Sequence, residues 1–516
     1  MNLAPFESSI AERYHEETKY SEEGLRREAA GRPQLQWSRQ PVPFRHVEGE
    51  RLLLPAEGLP IRRPGEEPAD FERRDAGRVD AYRLARLLWF TNGCTRIVRM
   101  AGGVHHFRAA PSAGAMYPTE VYVAVNDVPG IEPGVHSYQV LDHSLVAVRR
   151  GAPLDALRAA TFRHPAADRV DVAVILSGVW FRSSWRYRER GYRRVLLDTG
   201  HVLGNLVAAA PEEGLHAVPL ASFRARLIEH IVAVYPVQDG PLVVVPLVDS
   251  ARAGTLPRVP LRRSETVEWR QALARVGDRL PQDAPERIIA ALHLAGRLDD
   301  QAATISAEAP VPAAAPGSAL EIPITTGPSA WAADDPVTAT IAVRRSTRRF
   351  RPQPIAQDAL LRALVHGADA PPGTLLAPEL LRTYVVSLDV MGLPPGSYLF
   401  DAGGPALAEL CRRDLSAEML HLGLGQEILV HAGAVVVHTV DLTRAVGRCG
   451  DRVYRLLGLD AGHVGERLNL AALHEGLGVS GCGGYYDDEM NRALGIPESQ
   501  AVLYLTCLGV PGPGEA

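Results

Sequence analysis

The chain has 516 residues, 46% hydrophobic and 22% charged, with a formal net charge of −5. That is ordinary globular composition, and the length exceeds what one core serves, so two domains of similar size are expected. The negative balance, with no basic stripe interleaved with aromatics, argues against a nucleic-acid partner. No run is long and apolar enough to cross a bilayer, and Met1 to Tyr20 is too charged for a signal peptide, so no membrane partner is expected. Cys94, Cys411, Cys449, Cys482 and Cys507 are scattered with no CxxC spacing, which fits a reducing cytoplasm and gives no zinc site.

Residues 1–70 are polar and weakly periodic and read as an extended arm draped over a domain. A first domain is expected over 71–250. Its opening helix, Val79 to Phe90, carries the stripe Tyr82, Leu84, Leu87 and Leu88, with Asp80 placed as its N-cap. Pro111-Ser112-Ala113-Gly114 follows, then strands expected at Val121 to Val125 and around Ser137 to Val140, joined through a Pro133-Gly134 turn. Val170 to Gly178 reads as a buried strand leading into Trp185-Arg186-Tyr187. A long helix is expected at Leu196 to Glu213 and another buried strand at Pro241 to Val248. Helical patterns at Val267 to Val276 and Pro285 to Ala295, with an Ala/Pro-rich stretch over about 299–335, make 251–335 an extension and linker. A second domain is expected over 336–516.

The second half repeats the first. Adding 262 carries Tyr122 to Tyr384, Pro133-Gly134 to Pro395-Gly396, Arg193 to Arg455, Asp198 to Asp460, Gly200-His201 to Gly462-His463 and Gly214-Leu215 to Gly476-Leu477. One constant offset hitting identical residue types marks a tandem duplication of one α+β domain, in units far longer than a solenoid repeat. Two such domains in one chain can build the interface that a homodimer would build.

Chemistry concentrates at Arg344-Arg345-Ser346-Thr347-Arg348-Arg349-Phe350, just before a helical pattern from Gln357 to His366. Guanidinium forks and hydroxyls at this density suit a phosphate. With Arg108-Ala109-Ala110-Pro111-Ser112-Ala113-Gly114, Trp185-Arg186-Tyr187, Asp198-Thr199-Gly200-His201 and Gly481-Cys482-Gly483-Gly484, the chain resembles the FMN-dependent nitroreductase fold, in particular the SagB-type (thiazole/oxazole-forming) dehydrogenases. The resemblance implies flavin mononucleotide (FMN) between two subunits. One subunit gives the arm (Arg344, Arg345, Ser346, Arg348) and the glycine loop (Gly481, Cys482, Gly483, Gly484), and the other gives Pro111, Ser112, Ala113 and Gly114.

Under the 262-residue offset, Pro111–Gly114 maps to Gly373-Thr374-Leu375-Leu376 and the glycine loop maps back to Pro219-Leu220-Ala221-Ser222. The nearest N-terminal counterpart of the arm, Arg73-Arg74-Asp75-Ala76-Gly77, puts an anion where a hydroxyl should be. The losses are complementary, so one FMN per chain is expected, at the interface between the halves. A monomer would suffice for that site.

The family further implies a Lys-Tyr pair for azoline oxidation, standing here as Arg186-Tyr187. Arginine is a very poor general base, so either Tyr187 moves the proton with Arg186 lowering its pKa, or the reaction differs. Alternatively the two residues pair with Glu189 on a helix surface. His105-His106 is read as a loop, His201 and His463 as equivalent packing or capping residues at helix starts, Cys482 as a small filler, and Glu189 and Arg190 as a solvated helix face.

Three functions are carried forward. The first is dehydrogenation of a peptide-derived or carrier-bound azoline in natural-product biosynthesis, with oxygen reoxidising the flavin and a cyclodehydratase as partner. The second is NAD(P)H-dependent reduction of nitro, quinone or dehydroamino-acid substrates. The third is a non-catalytic assembly partner of a modification complex.

Overall fold

The computed structural model describes residues 8–31, 35–59, 78–100, 103–168, 170–257, 259–305, 321–323, 336–403 and 406–514. Arg73–Gly77 and most of the Ala/Pro-rich stretch lie outside the described residues.

Two seven-stranded sheets form the frame, and every strand pair in them is antiparallel. In the N-terminal half the central strands are Thr119–Val125, Val172–Val179 and Asp239–Asp249, with Gly134–Gln139, Ser144–Arg150 and Arg51–Leu53 on one side and Leu215–Ala217 at the opposite edge. The C-terminal sheet repeats this order. Thr119–Val125, Gly134–Gln139, Ser144–Arg150 and Val172–Val179 correspond at an offset of 262 to Leu381–Ser387, Gly396–Asp401, Ala406–Arg412 and Ala434–Asp441. Val172 to Leu176 is buried throughout because helices cover both faces, which is why it reads as an unbroken apolar run.

A long helix in each half, Gly191–Ala209 and Val453–His474, packs against its counterpart at the centre of the molecule. Gly200 and Gly462 sit at the crossing: a Cβ on Gly200 would overlap the Leu459 carbonyl, and one on Gly462 the Leu197 carbonyl. The repeated glycines therefore mark a pseudo-twofold axis where two backbones touch. The largest apolar cluster runs through this crossing, joining Leu196, Leu203 and Leu206 to Leu456, Leu457 and Leu459 and to Ile289 and Leu292 from the extension. At about 1.5–3 kcal/mol per buried leucine, the halves are held as one body.

Three local expectations change. The N-terminal arm begins with a helix, Ile10–Glu17, whose start is a reciprocal capping box between Ser9 and Glu12. A second helix, Glu22–Gly31, follows. His105-His106 lies in a strand of a two-stranded hairpin, Cys94–Met100 with Gly103–Arg108. His201 and His463 are buried inside the long helices and start neither.

Candidate functional site

The Pro111–Gly114 segment is a knuckle held from below by the first long helix. Ser112 Oγ donates to Asp198 Oδ2 (2.5 Å), Ala113 N donates to Asp198 Oδ1 (3.2 Å), and Tyr117 N donates to Ser112 Oγ (2.8 Å). Gly114, Ala115 and Tyr117 all have positive φ (61°, 56° and 46°), a run of left-handed backbone that persists only where surrounding contacts impose it. Glycine at 114 leaves room for the pair, because a Cβ there would lie 2.8 Å from the Tyr187 hydroxyl and 3.2 Å from Arg186 Cδ. The Arg186-Tyr187 pair, at the end of helix Trp180–Tyr187, is thereby brought against the knuckle.

Burial raises the Tyr187 phenol pKa; the opposing attraction comes first from Arg194 and then from Arg186, and the net shift is upward. Arg194 and Arg186 lie 5.4 and 5.9 Å from the Tyr187 ring centre. Arg186 is thus the lesser of two cations on the tyrosine. Arg194 is buried, its Nη2 donates to the Tyr20 hydroxyl (3.3 Å), and a Cβ on Gly483 would overlap its Nη1. A guanidinium from the N-terminal half therefore lies directly under the C-terminal half's glycine loop.

That loop continues strand Gly478–Cys482, in which Gly481 is exposed while its neighbours are buried. The Cys482 thiol is buried, accepts from Gln426 Nε2 (3.0 Å) and is pushed up in pKa by burial, so it behaves as a packed filler. Beneath Gly481 the Tyr504 hydroxyl lies 3.1 Å from His201 Nε2. His201 Nδ1 donates to the Leu197 carbonyl (2.7 Å) and burial lowers its pKa to about 4, so the ring is neutral and Nε2 accepts the phenol proton.

The arm is tied to the same strand and to the knuckle. Thr347 N donates to the Val479 carbonyl (2.9 Å) and Val479 N to Thr347 Oγ1 (3.0 Å). Arg344, buried, donates from Nε to the Ala109 carbonyl (2.8 Å), two residues before Pro111, and lies 3.7 Å from Glu466. Glu466 is fully buried, and burial raises its pKa to about 7 against the pull of Arg344. Oriented with its nitrogen toward Glu466, the Asn205 amide donates to Oε1 (2.9 Å) and accepts from Ala110 N (3.3 Å). Ser346 is half-buried and Arg348 exposed.

Arg345 reports what this corner fits. Its Nη1 and Nη2 donate to Thr95 Oγ1 (3.1 Å) and the Thr95 carbonyl (3.2 Å), while its Nε is buried with no partner among the described residues. Its pKa is lowered by burial and then by the charges of Arg344 and Arg96. Guanidinium groups repelling one another beside an unpaired donor form a site short of an anion, and the donors suit a phosphate. The residues present fit FMN: Arg344, Arg345, Ser346 and Arg348 would hold its phosphate and ribityl chain, with the backbone of Gly481–Gly484 and the Pro111–Gly114 knuckle beside the ring system. The structure brings the arm, the loop, the knuckle and Arg186-Tyr187 to one end of the interface.

Sequence reasoning missed Arg194, Glu466 and Arg190. The 262-residue offset carries Arg194 to Leu456 and Glu466 back to Gly204, so identity breaks within otherwise repeated helices were the available signal. Arg190 is buried, with Nε donating to the Thr18 carbonyl (3.0 Å) and the guanidinium 4.1 Å from the Tyr20 ring centre. It is no solvated face; it fastens the N-terminal arm beside the site.

Comparison with known proteins follows the same division of the chain. The nitroreductase family model matches twice, over residues 75–247 and 341–510. The chain belongs to the nitroreductase family. Nitroreductases are flavin-dependent oxidoreductases, and this one carries two family domains in tandem. A crystal structure of a nitroreductase-type protein from Anabaena variabilis superimposes with a TM-score of 0.82 at 32% identity, covering 98% of this chain and 100% of that one. A protein of Methanocaldococcus jannaschii named as a nitroreductase is 32% identical over 141 residues, 27% of this chain and 70% of its own. The trifolitoxin-processing protein TfxB of Rhizobium leguminosarum bv. trifolii is 36% identical over 159 residues, 30% of this chain and 43% of its own. Among the described residues no helix is long and apolar enough to cross a membrane, and no group of side chains could hold a metal ion.

Proposed function

We propose that this nitroreductase binds one FMN per chain, at the end of the interface where arm, glycine loop and knuckle converge. There it dehydrogenates an azoline-type ring carried on a peptide or carrier during natural-product maturation. The observation that carries the reading is the placement of Tyr187 against Gly114 of the knuckle and, through Arg194, beside the glycine loop. The similarity to a trifolitoxin-processing protein supports a peptide-borne substrate.

When bound, FMN would supply a two-electron acceptor that molecular oxygen can regenerate, with hydrogen peroxide as the by-product. The chain's own residues do the rest. Arg344, Arg345 and Arg348 would neutralise the phosphate, and the Ser346 hydroxyl would hydrogen-bond to it. Asp198 holds the knuckle, and Arg194 puts a positive charge beside the glycine loop. Tyr187 handles the substrate proton at its hydroxyl oxygen. A cyclodehydratase that makes the azoline is the partner this reaction requires.

The upward pKa of Tyr187 favours a second reading as well. A phenol kept protonated at rest is ready to donate, which suits NAD(P)H-dependent reduction with Tyr187 as the acid. Anaerobic stopped-flow mixing decides between the two. Bleaching of the flavin band by an azoline peptide, with no response to NAD(P)H, supports dehydrogenation. Fast bleaching by NAD(P)H assigns the reductase. Purified protein without flavin absorbance sinks both.

A further inference from the structure

Among the described residues, the N-terminal half carries an inserted element that the C-terminal half does not match. Between the opening helix and the first central strand, residues 369–380 suffice in the C-terminal half, whereas the N-terminal half uses residues 93–118. The added length is the hairpin Cys94–Met100 with Gly103–Arg108, which pairs with no other strand among the described residues. Its register sets Ile97 opposite His106 and Arg99 opposite Val104, so these four side chains share one face. Ile97 is 62% exposed and Val104 49%.

A two-stranded ribbon with apolar side chains in water is marginal alone. This one is pinned at its base, where Arg345 holds Thr95 and Ala109 N donates to the Gly93 carbonyl (2.9 Å). Arg345 belongs to the phosphate-type corner, so the ribbon rises from the rim of the candidate site. Between Cys94 and Arg108 the sequence has Arg96, Arg99, Arg108, His105 and His106 and no acidic residue, in a chain whose net charge is −5. Arg108 is buried; Arg96, Arg99 and His105 are exposed.

We propose that this hairpin is the docking ribbon for the peptide part of the substrate. An extended segment with alternating acidic and apolar side chains adds as a strand to the ribbon's free edge, which leads its reacting residue to the site at the base. Free backbone donors and acceptors supply the affinity; the arginines and the Ile97–Val104 face supply the selectivity. A second copy of the chain would set like-charged ribbons edge to edge, and the ribbon offers a nucleic-acid strand no row of stacking aromatics. This inference rests on the reading of the substrate as peptide-borne.

The test is fluorescence anisotropy with the full chain and a labelled peptide of alternating aspartate and valine, with a lysine–valine peptide and a single-stranded oligonucleotide as comparators. The aspartate peptide should bind, weaken with added salt, and bind about tenfold less tightly to the double variant Ile97→Glu/Arg99→Glu. Val104→Glu should act in the same direction. Flavin absorbance per chain should be unchanged in each, which also reports an intact fold. Equal binding of the two peptides, unchanged affinity in the double variant, tighter oligonucleotide binding, or a ribbon variant that turns a dimer into a monomer on sedimentation overturns the proposal. Wild-type protein that binds the aspartate peptide but lacks flavin removes the proposed reaction instead, so the two failures are told apart.

Discussion

The two ends of the interface between the halves are built from equivalent positions and have become chemically opposite. At one end the positions are Ala113, Gly114, Arg186 and Gly481; at the other they are Leu375, Leu376, Arg448 and Pro219. The second set lines a cavity of about 180 Å³ shared with Pro260 and Leu261 of the extension. There Arg448 lies 3.5 Å from Glu379, so its charge is answered within the protein. At the first end the buried Nε of Arg345 has no partner among the described residues, and Arg344 and Arg96 add like charge beside it. Duplication inside one chain lets each half specialise: side chains that must be small at one end are free to become bulkier and apolar at the other.

The largest disturbance should come from the axis both ends share. Gly200→Val drives a side chain into the Leu459 carbonyl, and the long helices must part to admit it, at a cost of about 3 kcal/mol or more. Chemical denaturation should show the loss, and both ends should suffer. Gly462→Val should match it; a variant that keeps wild-type stability would break the idea of a backbone-contact axis.

Next in size is Arg344→Ala, which strands buried Glu466 and unties the arm from Ala109. About 3 kcal/mol of stability should go, together with the flavin, read as the absorbance ratio after gel filtration. Tyr187→Phe should keep the flavin and lower turnover about 100-fold, the usual share of a positioned proton-transfer group. Retained turnover would move the proton to another group.

Much of this was legible in the chain. The 262-residue offset carries strand onto strand because a duplicated fold keeps its register where both faces are buried, as at Val172–Val179. Before the hairpin in the chain the offset is different. The opening helices Ala81–Asn92 and Gln357–Ala368 stand 276 residues apart, which sets the sequence counterpart of Arg344–Arg348 at residues 68–72, outside the described residues. The arm's helix was missed because its face is short, although Ser9 and Glu12 announced it. Arg194 and Glu466 were missed because periodicity shows only that a helix face is buried, and gives no sign of which partner a charge meets there.

Asp198 and Asp460 separate what the halves still share from what they do not. Each is buried under an equivalent segment, accepting from Ala113 N and Ser112 Oγ or from Leu376 N and Ala377 N, and burial raises each pKa to about 7. A carboxyl whose folded pKa is raised destabilises the fold progressively as pH rises from about 4 to about 7, and the penalty is complete above that. Between pH 6 and pH 8 the flavin-free chain should lose about 1.4 kcal/mol through each group. Asp198→Asn and Asp460→Asn should each flatten the melting profile by that amount. A profile no flatter than that of the wild type in either variant would mean that these carboxyls are already ionised in the fold.

The smallest effect is the most discriminating, because it exchanges the two ends one residue at a time. Ala113 and Leu375 are equivalent under the 262-residue offset. Ala113→Leu puts the mirror end's side chain into the knuckle held by Asp198, within reach of the ring system, and should weaken flavin binding about tenfold, roughly one misfitted side chain's worth. Leu375→Ala gives the mirror end the site's own residue and costs about 1 kcal/mol of packing. It should leave the flavin content at one per chain, because among the described residues Pro219 stands there in place of the glycine loop and Arg448 is already paired with Glu379. A second flavin appearing in Leu375→Ala would mean that a single side chain, and not the loss of the whole donor set, had closed the mirror end.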